Sequence, residues 1–185
     1  MNVFVDLESF LASQGNTHSQ TMDTVVRAAY SSVSRIALCL CNGATNAEAI
    51  TLEALTTALE QLSQYPVGTS FAPWIFARTI QAHRIYTRKQ RLKRWLGKTQ
   101  KETSPPTPEQ PASPMTSLPD DLRLAVVFAY GFDLEIPEIA ESFRIREAEV
   151  QRRIETALRQ LENMAGPEAV SSPALKMEIA RLYPV

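Results

Sequence analysis

Between Thr103 and Pro114 the chain reads Thr-Ser-Pro-Pro-Thr-Pro-Glu-Gln-Pro-Ala-Ser-Pro, five of the protein's twelve prolines in one short stretch. Each proline removes a backbone donor and disfavours helix, and the residues between them offer almost nothing to bury. Such a segment reads as a linker, so elements must gather on either side of it. The expected division is an N-terminal extension over 1–21, a domain over 22–98, a Pro-rich linker over 99–117, a second domain over 118–164 and a tail over 165–185.

Both flanking segments predict an all-α fold, because apolar residues recur at three- and four-residue steps with no sustained alternation. A first helix is expected over about 22–40, with Val26, Ala29, Tyr30, Val33 and Ile36 facing a core. It should end at Cys41-Asn42-Gly43. Asn46 would cap a second helix running to about Ser63, with Ile50, Ala54, Ala58 and Leu62 on one stripe. Tyr65-Pro66-Val67-Gly68 breaks it, and a third helix spans about 71–96. After the linker, Leu118-Pro119-Asp120-Asp121 opens a helix to about Tyr130. A short helix over Ile136–Phe143, a turn at Arg144-Ile145-Arg146 and a longer helix over about 147–164 then give a helix-turn-helix layout, which presents its second helix to the DNA major groove.

The formal net charge is only −1, which argues against a uniformly basic coat, yet the charge is unevenly placed. From Arg78 to Lys98 there are eight basic residues and no acidic one. Arg84, Arg88 and Arg91 share one helical face there, with Trp74, Tyr86 and Trp95 nearby in sequence. A basic helix with aromatic neighbours suits single-stranded nucleic acid, which needs phosphate neutralisation and flat surfaces for unpaired bases. The competing reading makes Trp74 and Phe76 core and the charges a solvated face. His83 reads as a neutral helper in this stretch.

The motifs are similar to those of an extracytoplasmic-function (ECF) sigma factor, the minimal type with conserved regions two and four. In the C-terminal part the resemblance lies in Leu118, Pro119, Arg123, Phe128, Tyr130, then Glu138, Ile139, Ala140, Glu141 and Ile145, then Val150, Arg153 and Ile154. In the N-terminal part it lies in Arg35-Ile36-Ala37-Leu38, Leu40, Ala47-Glu48, Ile50, Glu53-Ala54-Leu55, and Phe71, Trp74-Ile75-Phe76 and Arg78. It covers roughly Met22 to Leu161. The resemblance implies binding rather than catalysis. One region-two helix would dock on the beta-prime coiled coil of RNA polymerase core through Glu48, Ala49, Leu52 and Glu53. The next would capture melted promoter DNA through Trp74, Arg78, Arg84, Arg88, Lys89 and Arg91. Region four would read duplex promoter DNA through Arg146, Gln151, Arg152 and Arg153, Gln and Arg being able to pair with adenine and guanine edges. Arg144 stands where the family usually has a turn glycine, which predicts about 1 kcal/mol of backbone strain.

The docking helix departs from the family in its charge. Two acidic positions have become Asn46 and Ala49 and a glutamine has become Leu52, so attraction to basic polymerase groups is reduced. Thr51 replaces a family valine. Phosphorylation there would add about −1.5 to −2 charges, and some ECF groups of this kind are paired with Ser/Thr protein kinases. The other reading places Thr51 beside Ala47, Ala54, Leu55 and Ala58 as half-buried packing, with Thr56, Thr57 and Thr45 as alternative acceptors.

Other classes are disfavoured. No G-x-x-x-x-G-K-[ST], H-E-x-x-H or G-x-S-x-G motif is present, and His18 and His83 form no catalytic set, so no enzyme and no cofactor are expected. Cys39 and Cys41, a lone C-x-C, read as packing cysteines and not as a metal site. No apolar run approaches the roughly 18 residues of a membrane span, and the start of the chain lacks a basic leader. The cytoplasm is expected, with no membrane partner. Besides a promoter-specificity subunit, two readings remain open: a stand-alone helix-turn-helix regulator and a sigma-like adaptor that does not engage polymerase.

Overall fold

The computed structural model of the chain describes residues 18–41, 44–66, 69–96 and 113–184, and every regular element among them is helical. The extension over 1–17, most of the linker and the Asn42-Gly43 turn lie outside the described residues. Helices α1 (His18–Leu40), α2 (Ala44–Glu60) and α3 (Phe71–Trp95) form the N-terminal group. The C-terminal group comprises a single turn α4 (Pro114–Ser117), α5 (Asp120–Val126), α6 (Ile136–Phe143), α7 (Glu147–Ala165) and α8 (Ser172–Leu182). No helix among the described residues is long and apolar enough to cross a membrane.

Helix α1 buries Val25, Ala29, Val33, Ile36, Ala37 and Leu40, a stripe at three- and four-residue steps. Tyr30, expected in the core, is instead 53% exposed, because the buried stripe is phased on Val25 rather than on Val26. Helix α2 packs with Ala47, Ile50, Thr51, Ala54, Leu55 and Ala58 inward, and its small residues let α1 and α3 approach closely. Asn46 does not cap this helix. It lies within it and its Oδ1 accepts a hydrogen bond from the Tyr86 hydroxyl at 2.7 Å, tying α2 to α3.

The first half of α3 is core: Phe71, Ala72, Ile75, Phe76, Thr79, Ile80 and Ala82 are buried. Tyr65 closes that end, its ring edge-on to Phe71 and Trp74 with centroids 5.4 Å apart in each pair, a favourable aromatic geometry. Beyond Ala82 the helix emerges into solvent, exposing Arg84, Arg88, Lys89, Arg91 and Lys93 together with Ile85, Leu92 and Trp95.

The described residues continue from Ser113, and Pro114–Ser117, at the end of the expected linker, form the single turn α4. Ser113 is buried and its Oγ accepts from the Met115 N–H at 3.2 Å, capping α4, and Met115 is itself buried. Helix α5 continues through a wide turn at Val127–Gly131, where the Phe132 N–H reaches back to the Val127 carbonyl at 3.2 Å. Helix α6 begins with a reciprocal capping box between Glu135 and Glu138. It ends at Arg144, whose φ of 57° and ψ of 48° place an arginine in the left-handed region. The expected strain at that turn is therefore present in the backbone.

The two groups share one core. Phe76 stacks on Phe128 with ring centroids 5.2 Å apart and touches Phe132 at 4.9 Å, while Phe128 meets Phe143 at 5.4 Å. Arg35 of α1 lies over the Phe132 ring. Nearby, the buried Arg123 guanidinium donates from Nε to the Cys39 carbonyl at 2.9 Å, from Nη1 to the Leu118 carbonyl at 2.9 Å, and from Nη2 to Asp120 at 2.7 Å.

Candidate nucleic-acid interface and docking helix

Three surfaces carry the expected site residues. On α2, Glu48, Ala49, Leu52, Glu53 and Thr56 are all exposed, and Leu52 is 68% so. Positions 49, 52, 53 and 56 follow helical spacing, so they form one stripe. Beside it Ala49, Ile50, Glu53, Ala82, Ile85, Tyr86 and Lys89 line a groove of about 130 Å³ between α2 and α3. The stripe is largely apolar, with Glu53 as its charge.

Thr51 does not belong to that surface. It is 2% exposed and its hydroxyl donates to the Ala47 carbonyl at 2.8 Å. This corrects the expectation of a kinase-accessible Thr51, because the helical rotation of about 100° per residue turns position 51 onto the inward face between Ala47 and Ala54. The exposed hydroxyl on the stripe is Thr56, one turn beyond Leu52. Thr57 is half-buried, and the side chain of Thr45 lies outside the described residues.

On α3, the expected contacts divide in two. Arg84, Arg88, Lys89 and Arg91 are exposed and form no ion pair among the described residues. Trp74 and Arg78 are buried, at 6% and 8% exposure, and cannot stack on or pair with DNA in this state. The reason is that Trp74 packs against Phe71 at 5.3 Å while the Arg78 guanidinium covers its face at 3.4 Å from the ring centroid. Arg78 Nη1 donates to the Trp74 carbonyl at 3.0 Å, and its buried Nε has no partner among the described residues. Burial, then the charge of Arg144, lower the Arg78 pKa to about 10. The guanidinium still carries its proton at neutral pH.

The exposed aromatic of this helix is Trp95, at 82%, with Leu92 and Leu96 exposed beside it. Sequence reasoning placed Trp95 only as a neighbour of the basic face. The available signal was its surroundings: Arg88, Lys89, Arg91 and Lys93 precede it without the apolar periodicity that buries Trp74. His83 is half-buried, with a ring nitrogen 3.3 Å from Thr87 Oγ1, and burial pulls its pKa below the ordinary value.

The exposed face of α7 is more neutralised than its composition suggests. Glu149 accepts from Arg152 Nε and Nη2 at 2.8 Å each and from Arg153 Nε at 3.0 Å. Those bonds, Arg152 first, hold its carboxyl at a pKa of about 2. Arg153 is not free for a groove contact. It lies over the Phe143 ring and comes within 3.7 Å of Asp121, fastening α7 to α6 and to the start of α5. Gln151 is exposed and donates to Glu155 at 3.0 Å. Arg146, at the N-cap of α7, is exposed. The forward edge of α7 thus offers Arg146, Gln151 and, once Glu149 is displaced, Arg152.

No family model matches the sequence, and no curated protein matches it either. Among solved structures, CnrH in complex with the cytosolic domain of CnrY superposes with a TM-score of 0.62 at 19% identity, over 88% of this chain and 96% of that one. The sigma factor RpoE in complex with the anti-sigma factor NepR, from Bartonella quintana, superposes with a TM-score of 0.63 at 15% identity, over 79% and 97%. The chain has the all-helical fold of ECF sigma factors.

Proposed function

We propose that this chain is an ECF-type sigma factor, a promoter-specificity subunit that binds bacterial RNA polymerase core and directs it to particular promoters. The observation that carries the reading is that, within a sigma-factor fold, the stripe of Ala49, Leu52 and Glu53, with Glu48 beside it, is exposed next to a helix end whose Arg84, Arg88, Lys89 and Arg91 all face solvent. The stripe would meet the beta-prime coiled coil. The α3 end would neutralise the melted strand while Trp95 stacks on an unpaired base. Arg146, Gln151 and Arg152 would meet the duplex upstream.

Docking through this stripe is weak, because each charge missing from an exposed interface rim removes about 0.2 to 1 kcal/mol. A phosphoryl group from a Ser/Thr protein kinase would return about −1.5 to −2 charges, and Thr56 is the hydroxyl that lies on the stripe. Thr51 would have to leave its packed position first.

The reading is tested with purified core polymerase and a promoter library. Core-dependent initiation at a defined subset of promoters is the expected result. DNA binding that is indifferent to core would mark the chain as a stand-alone helix-turn-helix regulator, and core binding without initiation would mark it as an adaptor.

A further inference from the structure

Helix α8 is tightly packed on one face only. Ile179 is 1% exposed and fits over Gly131, where a Cβ would come within 2.9 Å of its Cγ2, and Lys176 pairs with Asp133 at 2.6 Å. The adjoining face, with Ala174, Leu175 and Glu178, borders a cavity of about 260 Å³ shared with α4 and the end of α7. Three alanines, Ala165, Ala169 and Ala174, line it together with Met115, Leu161 and Leu175. Side chains this short leave open a space that larger residues would fill. Ala165 is exposed and marks the mouth, while Met115, Leu161 and Leu175 are buried and form the floor.

The polar part of the wall is a pair, Ser113 and Glu178. The Ser113 hydroxyl donates to Glu178 Oε1 and accepts from the Met115 N–H at 3.2 Å. Arg181 donates from Nη2 to Glu178 Oε1 at 2.7 Å and from Nε to Oε2 at 2.9 Å, holding the carboxyl below its ordinary pKa and therefore ionised. An ionised carboxylate only accepts, and of its roughly four lone-pair sites these three bonds leave one, on Oε2. Ser113 has already committed its one proton. The lining side chains thus offer acceptors and no donor, and Arg181 balances their single charge. A molecule that enters must bring a hydrogen rather than a lone pair, and it needs no charge of its own.

We propose that this cavity is a binding site for a small, neutral, ring-shaped apolar molecule carrying one N–H or O–H donor, its body among the alanines and its donor on Glu178. An apolar cavity of about 150 Å³ holds benzene, so this larger one suits a bicyclic ring such as indole. An occupant would fill the junction of α7 and α8 and stabilise the fold by mass action. Leu161 lies ten residues past Gln151 on α7, about 15 Å along the helix, so the forward edge of α7 stays free when the site is filled. The site does not rest on the promoter-specificity reading.

Indole and benzofuran are the probes, alike in size but with a donor N–H in one and an acceptor oxygen in the other. Added to the full chain, indole should bind saturably with a Kd below about 1 mM and raise the melting temperature. Benzofuran should bind about tenfold more weakly or worse, as expected when a hydrogen bond to a charged acceptor is lost. In NMR spectra, protons of bound indole should show cross-peaks to the Met115 methyl. Ala169→Leu and Ala174→Leu, which fill the space, should each abolish indole binding in a chain that still folds. Where neither variant folds, the Met115 cross-peaks decide. Absence of saturable indole binding, equal affinity for the two probes, or bound indole without contact to Met115 overturns the proposal, as does full indole affinity in both filled variants.

Discussion

The Arg78 guanidinium lies face-on to Trp74, 3.4 Å from the ring centroid, and donates to the carbonyl of that same residue. Two residues that sequence reasoning assigned to melted DNA are thus each other's partners inside the N-terminal core. The stack suits arginine, whose planar and weakly hydrated group lies well on an aromatic face.

Trp74→Ala should therefore behave as a core mutation, costing about 3 to 5 kcal/mol of stability. Trp95→Ala should leave stability within about 0.5 kcal/mol and cost about 1 to 3 kcal/mol of single-strand affinity. Denaturant titration and binding of a fluorescent oligonucleotide, run on both variants, check the assignment; equal loss of affinity per folded molecule would contradict it.

Thr51→Asp would place a carboxylate where the hydroxyl is only 2% exposed. We expect it to destabilise the fold by several kcal/mol without improving core binding. Thr56→Asp should leave the melting temperature nearly unchanged and strengthen core binding by a few-fold, the size of about 0.2 to 1 kcal/mol from an exposed charge. Pull-down titrations against core, with melting curves alongside, separate the two.

Glu149 is held at a pKa of about 2 by Arg152 and Arg153, below its ordinary value of 4.5. A carboxylate with a depressed folded pKa contributes stability above its unfolded value, and loses it as pH falls toward the folded one. The contribution should be complete above about pH 4.5 and vanish toward pH 2. Glu149→Gln should flatten that limb of the stability profile. It should also free Arg152 for phosphate, tightening duplex binding and steepening its dependence on salt.

Arg144→Gly should stabilise the chain by up to about 1 kcal/mol, because glycine adopts the left-handed turn without steric cost. Arg144 also repels Arg78. The gain should therefore be smaller in an Arg78→Ala background, a coupling that a double-mutant cycle measures directly.

Local signals carried much of this fold. The ends of α3, α6 and α7 fall within a residue or so of where caps, breaks and periodicity put them. What periodicity leaves open is phase. Val26 and Tyr30 fit a three-to-four spacing as well as Val25 and Ala29 do, and only packing against α2 selects between them. The same ambiguity covered Thr51, whose helical angle pointed inward while its replacement of a valine pointed to chemistry. Pairings between distant residues, such as Phe76 with Phe128 or Arg123 with the Cys39 carbonyl, leave no periodic trace at all. The basic face at Arg84, Arg88 and Arg91 was legible because a solvated face needs no partner to define it. Arg153 was not, since an arginine that covers Phe143 and one that reads a base look alike in sequence.

The aromatic seam also bears on how the chain is made. Helices α1 to α3 are complete on the chain before Phe128 and Phe132, the ring partners of Phe76, have been synthesised. At about 5 to 20 residues per second that interval lasts several seconds. The stack between the two groups is therefore closed late, after the N-terminal helices have already been made.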